Sequence, residues 1–235
     1  FVLLYVKRKH TFVSVSPRKF GFERFIVLGI CAVGIPASIQ NLLNVTGMTI
    51  LNNFTSAYGA DAVASMGIAQ KVNTVPFQIA LGFSQGIMPL VSYTYASGNH
   101  RRMKDTILFA IKLMLPAMVA VTVGYYIWAG NLVALFMNNE TIIAYGTRFL
   151  RAMCLAQPLI YMDFLAVGVF QALGMGKNAL IFAIMRKIIL EIPALFVLNW
   201  AYPLYGVAYA QPVAEFVLTI AAVVMLRRIF KRGSN

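Results

Sequence analysis

Six long apolar runs, separated by short polar loops, constrain this chain more than any other feature. They lie at roughly 25–52, 62–96, 106–129, 141–172, 178–200 and 205–226. Each reaches the roughly 20 apolar residues that a helix needs to cross a hydrocarbon core. In lipid every backbone polar group must find its partner within the protein, so only helices and closed barrels span. The runs lack the strict alternation of barrel strands. The pattern predicts an all-α, polytopic membrane protein with a bundle of six transmembrane helices.

Charge placement orients the bundle. Of the 20 Lys and Arg, fourteen fall in four patches: Lys7 to Arg24, Arg101 to Lys104, Lys177, and Arg227 to Arg232. The alternate loops, 53–61, 130–140 and 201–204, hold no Lys or Arg and carry Asp61 and Glu140. Cytoplasmic loops are enriched in cations, so both termini are expected in the cytoplasm of a multi-pass plasma-membrane protein. The net charge of +13 is thereby a topological signal, and no nucleic-acid partner is expected. Phe1 to Val6 reads as the end of a preceding helix, with 1–24 as a whole completing a basic cytoplasmic linker. The lobe proper is 25–226, followed by a basic tail at 227–235.

Proline occurs in every run, at Pro36, Pro76, Pro89, Pro116, Pro158, Pro193 and Pro212. Such residues free a carbonyl and bend a helix, and bent helices around a cavity suit a secondary transporter. Gly82 and Gly86 form a GxxxG pair that predicts a close helix contact. Amides recur in the first two runs. Gln40, Asn41 and Asn44 in one, and Gln70, Asn73, Gln78 and Gln85 in the other, are too polar to face lipid. They are expected to line a cavity or to bond between helices. Arg148 and Arg151, two or three turns into the fourth run, are further cavity candidates, and Lys71, Arg186 and Lys187 lie at similar depth.

Asp163, Glu191 and Glu215 are the acids deep within the runs. An intramembrane carboxylate is a candidate for coupling to a cation, and its alternative is a structural ion pair, such as Glu191 with Lys187 at i,i+4. Both histidines, His10 and His100, fall in basic loops, and no HExxH, Walker A, CxxC or GxSxG pattern occurs. Enzymatic activity, a metal centre and a bound cofactor are therefore not expected.

Five stretches together resemble the multidrug and toxic compound extrusion (MATE) family. They are Ala69-Gln-Lys-Val-Asn-Thr-Val-Pro76, the run from Gly82 to Arg102 containing Met88-Pro89 and Ser97-Gly98-Asn99, Phe170-Gln-Ala-Leu-Gly-Met-Gly-Lys177, Arg186 with Ile192-Pro193, and Gly206-Val-Ala-Tyr-Ala-Gln-Pro-Val-Ala-Glu215. The resemblance implies twelve helices in two six-helix lobes around a central cavity, with this chain as the C-terminal lobe. It implies antiport of cationic or amphipathic compounds against H+ or Na+, with the bilayer and the N-terminal lobe as partners. It also implies that the cation-site acid of the other lobe is not in this chain. Some members carry another acid in the fourth helix of this lobe, close to Asp163. A flippase for lipid-linked sugars is the related alternative; Lys71, Arg148 and Arg151 would then hold a diphosphate. A six-helix assembly subunit without transport is the alternative from another class.

Overall fold

A computed structural model describes residues 23–232, and among these every regular element is helical. The expected helix end at 1–6 and nearly all of the linker at 7–24 lie outside the described residues. The elements are α1 (Arg24–Ser56), α2 (Ala60–Ala96), α3 (His100–Ile127), the short α4 (Ala129–Ala134), α5 (Glu140–Cys154), α6 (Gln157–Ala172), α7 (Gly176–Ile184), a π-helical segment (Met185–Glu191), α8 (Ile192–Ala201) and α9 (Gly206–Arg232).

α1, α2 and α3 are each long and apolar enough to cross a membrane alone. The fourth expected run, 141–172, is divided into α5 and α6, which meet at a 42° bend and together make a further span. The fifth, 178–200, is one continuous rod from Gly176 to Ala201 whose middle is π-helical. α9 replaces the sixth run.

α6 is the axis of the bundle. From Ile160 to Phe170 every residue is buried, against α2, α3 and α9. With lipid as the alternative solvent, this packing is favoured by close van der Waals contact. Gly168 makes such an approach possible, since a Cβ there would stand 2.9 Å from the Ser84 hydroxyl of α2. Tyr161 takes its polar atom into the core and donates to the Ala110 carbonyl of α3 at 2.9 Å. α1 stands at the opposite extreme, with none of its most apolar stretch buried.

The prolines are divided between two roles. Pro36, Pro76, Pro89, Pro116 and Pro212 lie inside helices, whereas Pro158 and Pro193 occupy the first turn of α6 and α8. At Pro158 the missing N–H costs nothing, because first-turn donors lack helical partners anyway, whereas α8 continues the π segment without a break, so Pro193 stands inside the rod. The expectation of a mid-helix proline in every span is corrected at Pro158 alone, which opens α6 just past the 42° bend. Pro36 cannot serve the Ala32 carbonyl, and that oxygen faces Gly176, where a Cβ would lie only 2.6 Å away. The GxxxG expectation is also corrected: an added Cβ at Gly82 or Gly86 would meet nothing within 4 Å. The packing side of α2 instead presents Ala62, Met66, Ala69 and Val72.

Two turns rest on left-handed glycines. Gly98 has φ +72° and Gly174 has φ +72°, a region closed to most side chains. Each ends its helix with the wrapped pattern that satisfies terminal carbonyls: the Asn99 N–H donates to Thr94 O at 3.0 Å, and the Met175 N–H to Phe170 O at 2.8 Å. Asn99 then caps α3 by accepting from the Arg102 N–H at 3.0 Å.

Candidate functional site

A cavity of about 440 Å³ lies between α1, α2, α6 and the π segment. The geometry of α1 explains half of its polarity. Gln40, Asn41 and Asn44 repeat at three and four residues and so share one helical face, and all three line the cavity. Gln70, Asn73, Gln78 and Gln85 of α2 line it from across. Apolar side chains complete the wall, among them Met48, Met88, Met153, Phe77 and Phe164. Polarizable thioethers, aromatic rings and uncharged amides in one chamber can hold amphipathic molecules of varied shape.

Several amides are also tied to one another. Gln70 donates to Asn52 Oδ1 at 3.2 Å. Gln157, at the bend between α5 and α6, donates to Asn73 Oδ1 at 2.7 Å. The bend is thus anchored to α2 by a buried amide pair. Gln157 was not among the sequence candidates, and neither were the further lining residues Gln171 and Gln211. Their signal is an isolated amide in a later apolar run, without the three- and four-residue spacing that groups Gln40, Asn41 and Asn44 on one face.

The deep charges converge at the base of this chamber. Arg186 donates through one terminal nitrogen to Asp163 Oδ2 at 2.9 Å, and through the other to Asn44 Oδ1 at 2.6 Å. Its Nε lies 3.5 Å from Glu215 Oε1. The guanidinium also stands 5.3 Å from the centre of the Phe164 ring, within reach of a cation–π attraction. Lys187 forms an ion pair with Glu191 at 2.7 Å. All five charged side chains are buried. Arg186, Lys187 and Glu191 reach the cavity wall, while Asp163 and Glu215 stand behind it.

The π segment carries three of these five charges, Arg186, Lys187 and Glu191. A π turn is wider than an α turn, so residues five apart come to one side, and such turns cluster at functional sites. Arg186 and Glu191 are so spaced, and Lys187 reaches Glu191 one turn on. Gly47 of α1 leaves room for the lysine, since a Cβ there would lie 3.1 Å from its Nζ.

Arg148 and Arg151 are placed elsewhere. Arg148 is exposed and stacks 4.8 Å over Tyr205; Arg151 stacks 5.2 Å over Tyr126 and donates to its carbonyl at 3.1 Å. Neither lines the cavity, and nor does Lys71, which is exposed. The physical reason is the face each occupies on its helix, which depth along the chain does not reveal.

A cavity of amides within a helical bundle, abutting buried charges, defines a membrane-transporter lobe, and comparison with known proteins gives it a family. The MatE family model matches residues 36–197. The chain is 33% identical over 234 residues to the multidrug export protein MepA of Staphylococcus haemolyticus, covering 99% of this chain and 51% of that protein. It is 30% identical over 227 residues to MepA of Staphylococcus saprophyticus, covering 96% and 50%. An outward-facing multidrug resistance MATE family transporter of the MOP superfamily superposes with a TM-score of 0.88 at 23% identity, over 98% of this chain and 52% of that one. The bent form of the Vibrio cholerae MATE transporter VcmN gives 0.83 at 15%, over 94% and 50%. This chain belongs to the MatE family. It spans about half the length of the curated relatives it matches, and its fold is that of one six-helix lobe.

Proposed function

We propose that this chain forms one lobe of a secondary multidrug exporter, which exchanges cationic or amphipathic compounds for H+ or Na+ across the plasma membrane. The observation that carries the reading is the chamber itself: an amide- and methionine-lined cavity whose wall includes three members of a buried cluster of three acids and two cations. The seven amide candidates and the apolar wall would hold the compound. Asp163, Glu191 and Glu215 would supply the negative charge that a coupling cation needs. The relatives named as multidrug export proteins support the substrate class, and their double length supports a second lobe as partner.

The flippase reading draws less support. It requires free cations inside the chamber to hold a diphosphate, and Arg148 and Arg151 stack on tyrosines outside it. The two cations on its wall are paired, Lys187 with Glu191 and Arg186 with Asp163.

The test is ethidium efflux from cells that carry the intact reading frame containing this chain. Accumulation reduced by the frame supports export. Unchanged ethidium with accumulated lipid-linked sugar in a knockout points to a flippase, and no effect on either leaves an assembly role. Orientation has its own check. Cysteines introduced at Ala57 or Asn138 should react with an impermeant reagent from outside, and one at Asn99 only after the membrane is opened; the opposite pattern refutes the cytoplasmic termini.

A further inference from the structure

The charge cluster is unevenly matched. Lys187 and Glu191 pair one to one at 2.7 Å. Arg186 faces two acids, Asp163 from α6 and Glu215 from α9, with Asn44 of α1 as its remaining partner. Asp163 Oδ2 accepts a hydrogen bond from the guanidinium, whereas the 3.5 Å approach to Glu215 makes none. Glu215 is fully buried, and among the described residues neither of its oxygens has a hydrogen-bond partner; Asp163 Oδ1 also lacks one. With every group ionised, three negative charges would meet two positive ones. A buried charge is tolerated when paired and hydrogen-bonded, and Glu215 has only half a share of one cation.

From this geometry we propose that Glu215 carries the exchanged proton. The inference rests on the cation-coupled reading above and gives that reading its ion and its residue. With a proton on Glu215, the cluster of Asp163, Arg186, Lys187, Glu191 and Glu215 is neutral. When the O–H bond breaks, its electron pair stays on the carboxylate and the proton passes to a water molecule that reaches Glu215 from the cavity past Arg186. The cluster then bears one net negative charge, and Arg186 Nε is already beside the oxygen that gains it. Glu215 is absent from the cavity wall, and Arg186 stands between it and the chamber. Proton and substrate therefore share no ligand. A cation entering the chamber favours the negative state of the cluster, and a proton returning to Glu215 weakens the hold on that cation. The linkage is reciprocal. A metal ion fits poorly here, since the guanidinium at 3.5 Å repels it, whereas a proton joins an oxygen already present and needs no further ligands.

The experiment uses the full-length transporter containing this chain, purified in detergent, with tetraphenylphosphonium as the probe cation. In weakly buffered solution the wild type should release protons on binding the probe, and its affinity should rise with pH. Glu215→Gln should release none and bind independently of pH. Asp163→Asn should do the same, because Arg186 then serves Glu215 alone, and the double variant should lose no more than either single one. Glu140→Gln, at the exposed start of α5, should behave as wild type. If Glu215→Gln fails to fold, Glu215→Asp decides the matter: the infrared band of the protonated carboxyl that disappears on probe binding should shift in this variant. Release that persists in Glu215→Gln, or a band unmoved in Glu215→Asp, overturns the assignment to Glu215 alone. Sodium-dependent binding without proton release overturns the proton but leaves cation coupling in place. Binding that responds to neither ion overturns both.

Discussion

Arg148 and Arg151 on α5, and Arg186 and Lys187 on the π segment, are two basic pairs that look alike in the sequence. Each lies two or three turns inside an apolar run. In the bundle they part company. The first pair spreads its guanidinium planes over Tyr205 and Tyr126 at the outside of the lobe. The second is buried among Asp163, Glu191 and Glu215. The difference shows two ways of keeping a cation within an apolar span: a polarizable ring with a route to the surface, or a carboxylate brought by another helix. Both kinds of partner come from other segments, but the ring leaves the cation near the surface, whereas the carboxylates make three helices depend on one another.

Four measurements on the intact transporter would break or sharpen this contrast. The largest effect is expected from Arg186→Gln, which strands Asp163 and Glu215 without their shared cation. Removing one member of a buried ion pair costs about 3–5 kcal/mol, and the variant should show a marked fall in thermal midpoint and in membrane abundance. A midpoint equal to wild type would mean that the cluster contributes little to holding the helices together. Next comes Asp163→Asn, which keeps an acceptor for Arg186. Abundance should remain normal while ion-driven ethidium efflux falls on the order of tenfold or more, within the range of ordinary site-to-site coupling. Full efflux between pH 6 and 8 would place coupling in the other lobe.

A smaller effect is expected at Gly47, where an added Cβ would lie 3.1 Å from Lys187 Nζ. Gly47→Val forces the lysine stem aside, at about 1–3 kcal/mol for overpacking, and differential scanning fluorimetry should record it. Loss of the same size from Gly34→Val, where an added Cβ meets nothing within 4 Å, would trace the cost to helix propensity and not to Lys187. Smallest of all should be Arg148→Gln and Arg151→Gln. Each gives up a cation–π contact of about 0.5–1 kcal/mol, Arg151 also its hydrogen bond to the Tyr126 carbonyl, and efflux should be unaltered. A transport defect in either would return these arginines to the substrate path.

Much of the cavity could be read from single helices. Gln40, Asn41 and Asn44 share a face by spacing alone, and the cost of an amide in lipid turns that face inward. The bend at 155–156 was harder to see, because Pro158 marks it three residues late and sits harmlessly in the first turn of α6. The charge cluster was legible only as an inventory. Asp163, Arg186 and Glu215 could each be recognised as too deep to be idle, yet their meeting depends on how α6, the π segment and α9 are rotated. The sequence separates Arg186 from its partners by 23 and 29 positions, and no periodicity spans such gaps.

By itself the sequence determined the membrane-spanning, all-helical character, the order of the spans, and the amide face of α1. These follow from hydropathy and helical pitch, which act between near neighbours in the chain. The tertiary structure alone decided that Arg186 must divide itself between two acids, and that Arg148 and Arg151 stay outside the cavity. Those outcomes turn on which faces of separate helices meet, and that is fixed by close packing around α6 and by the requirement that buried charges find partners.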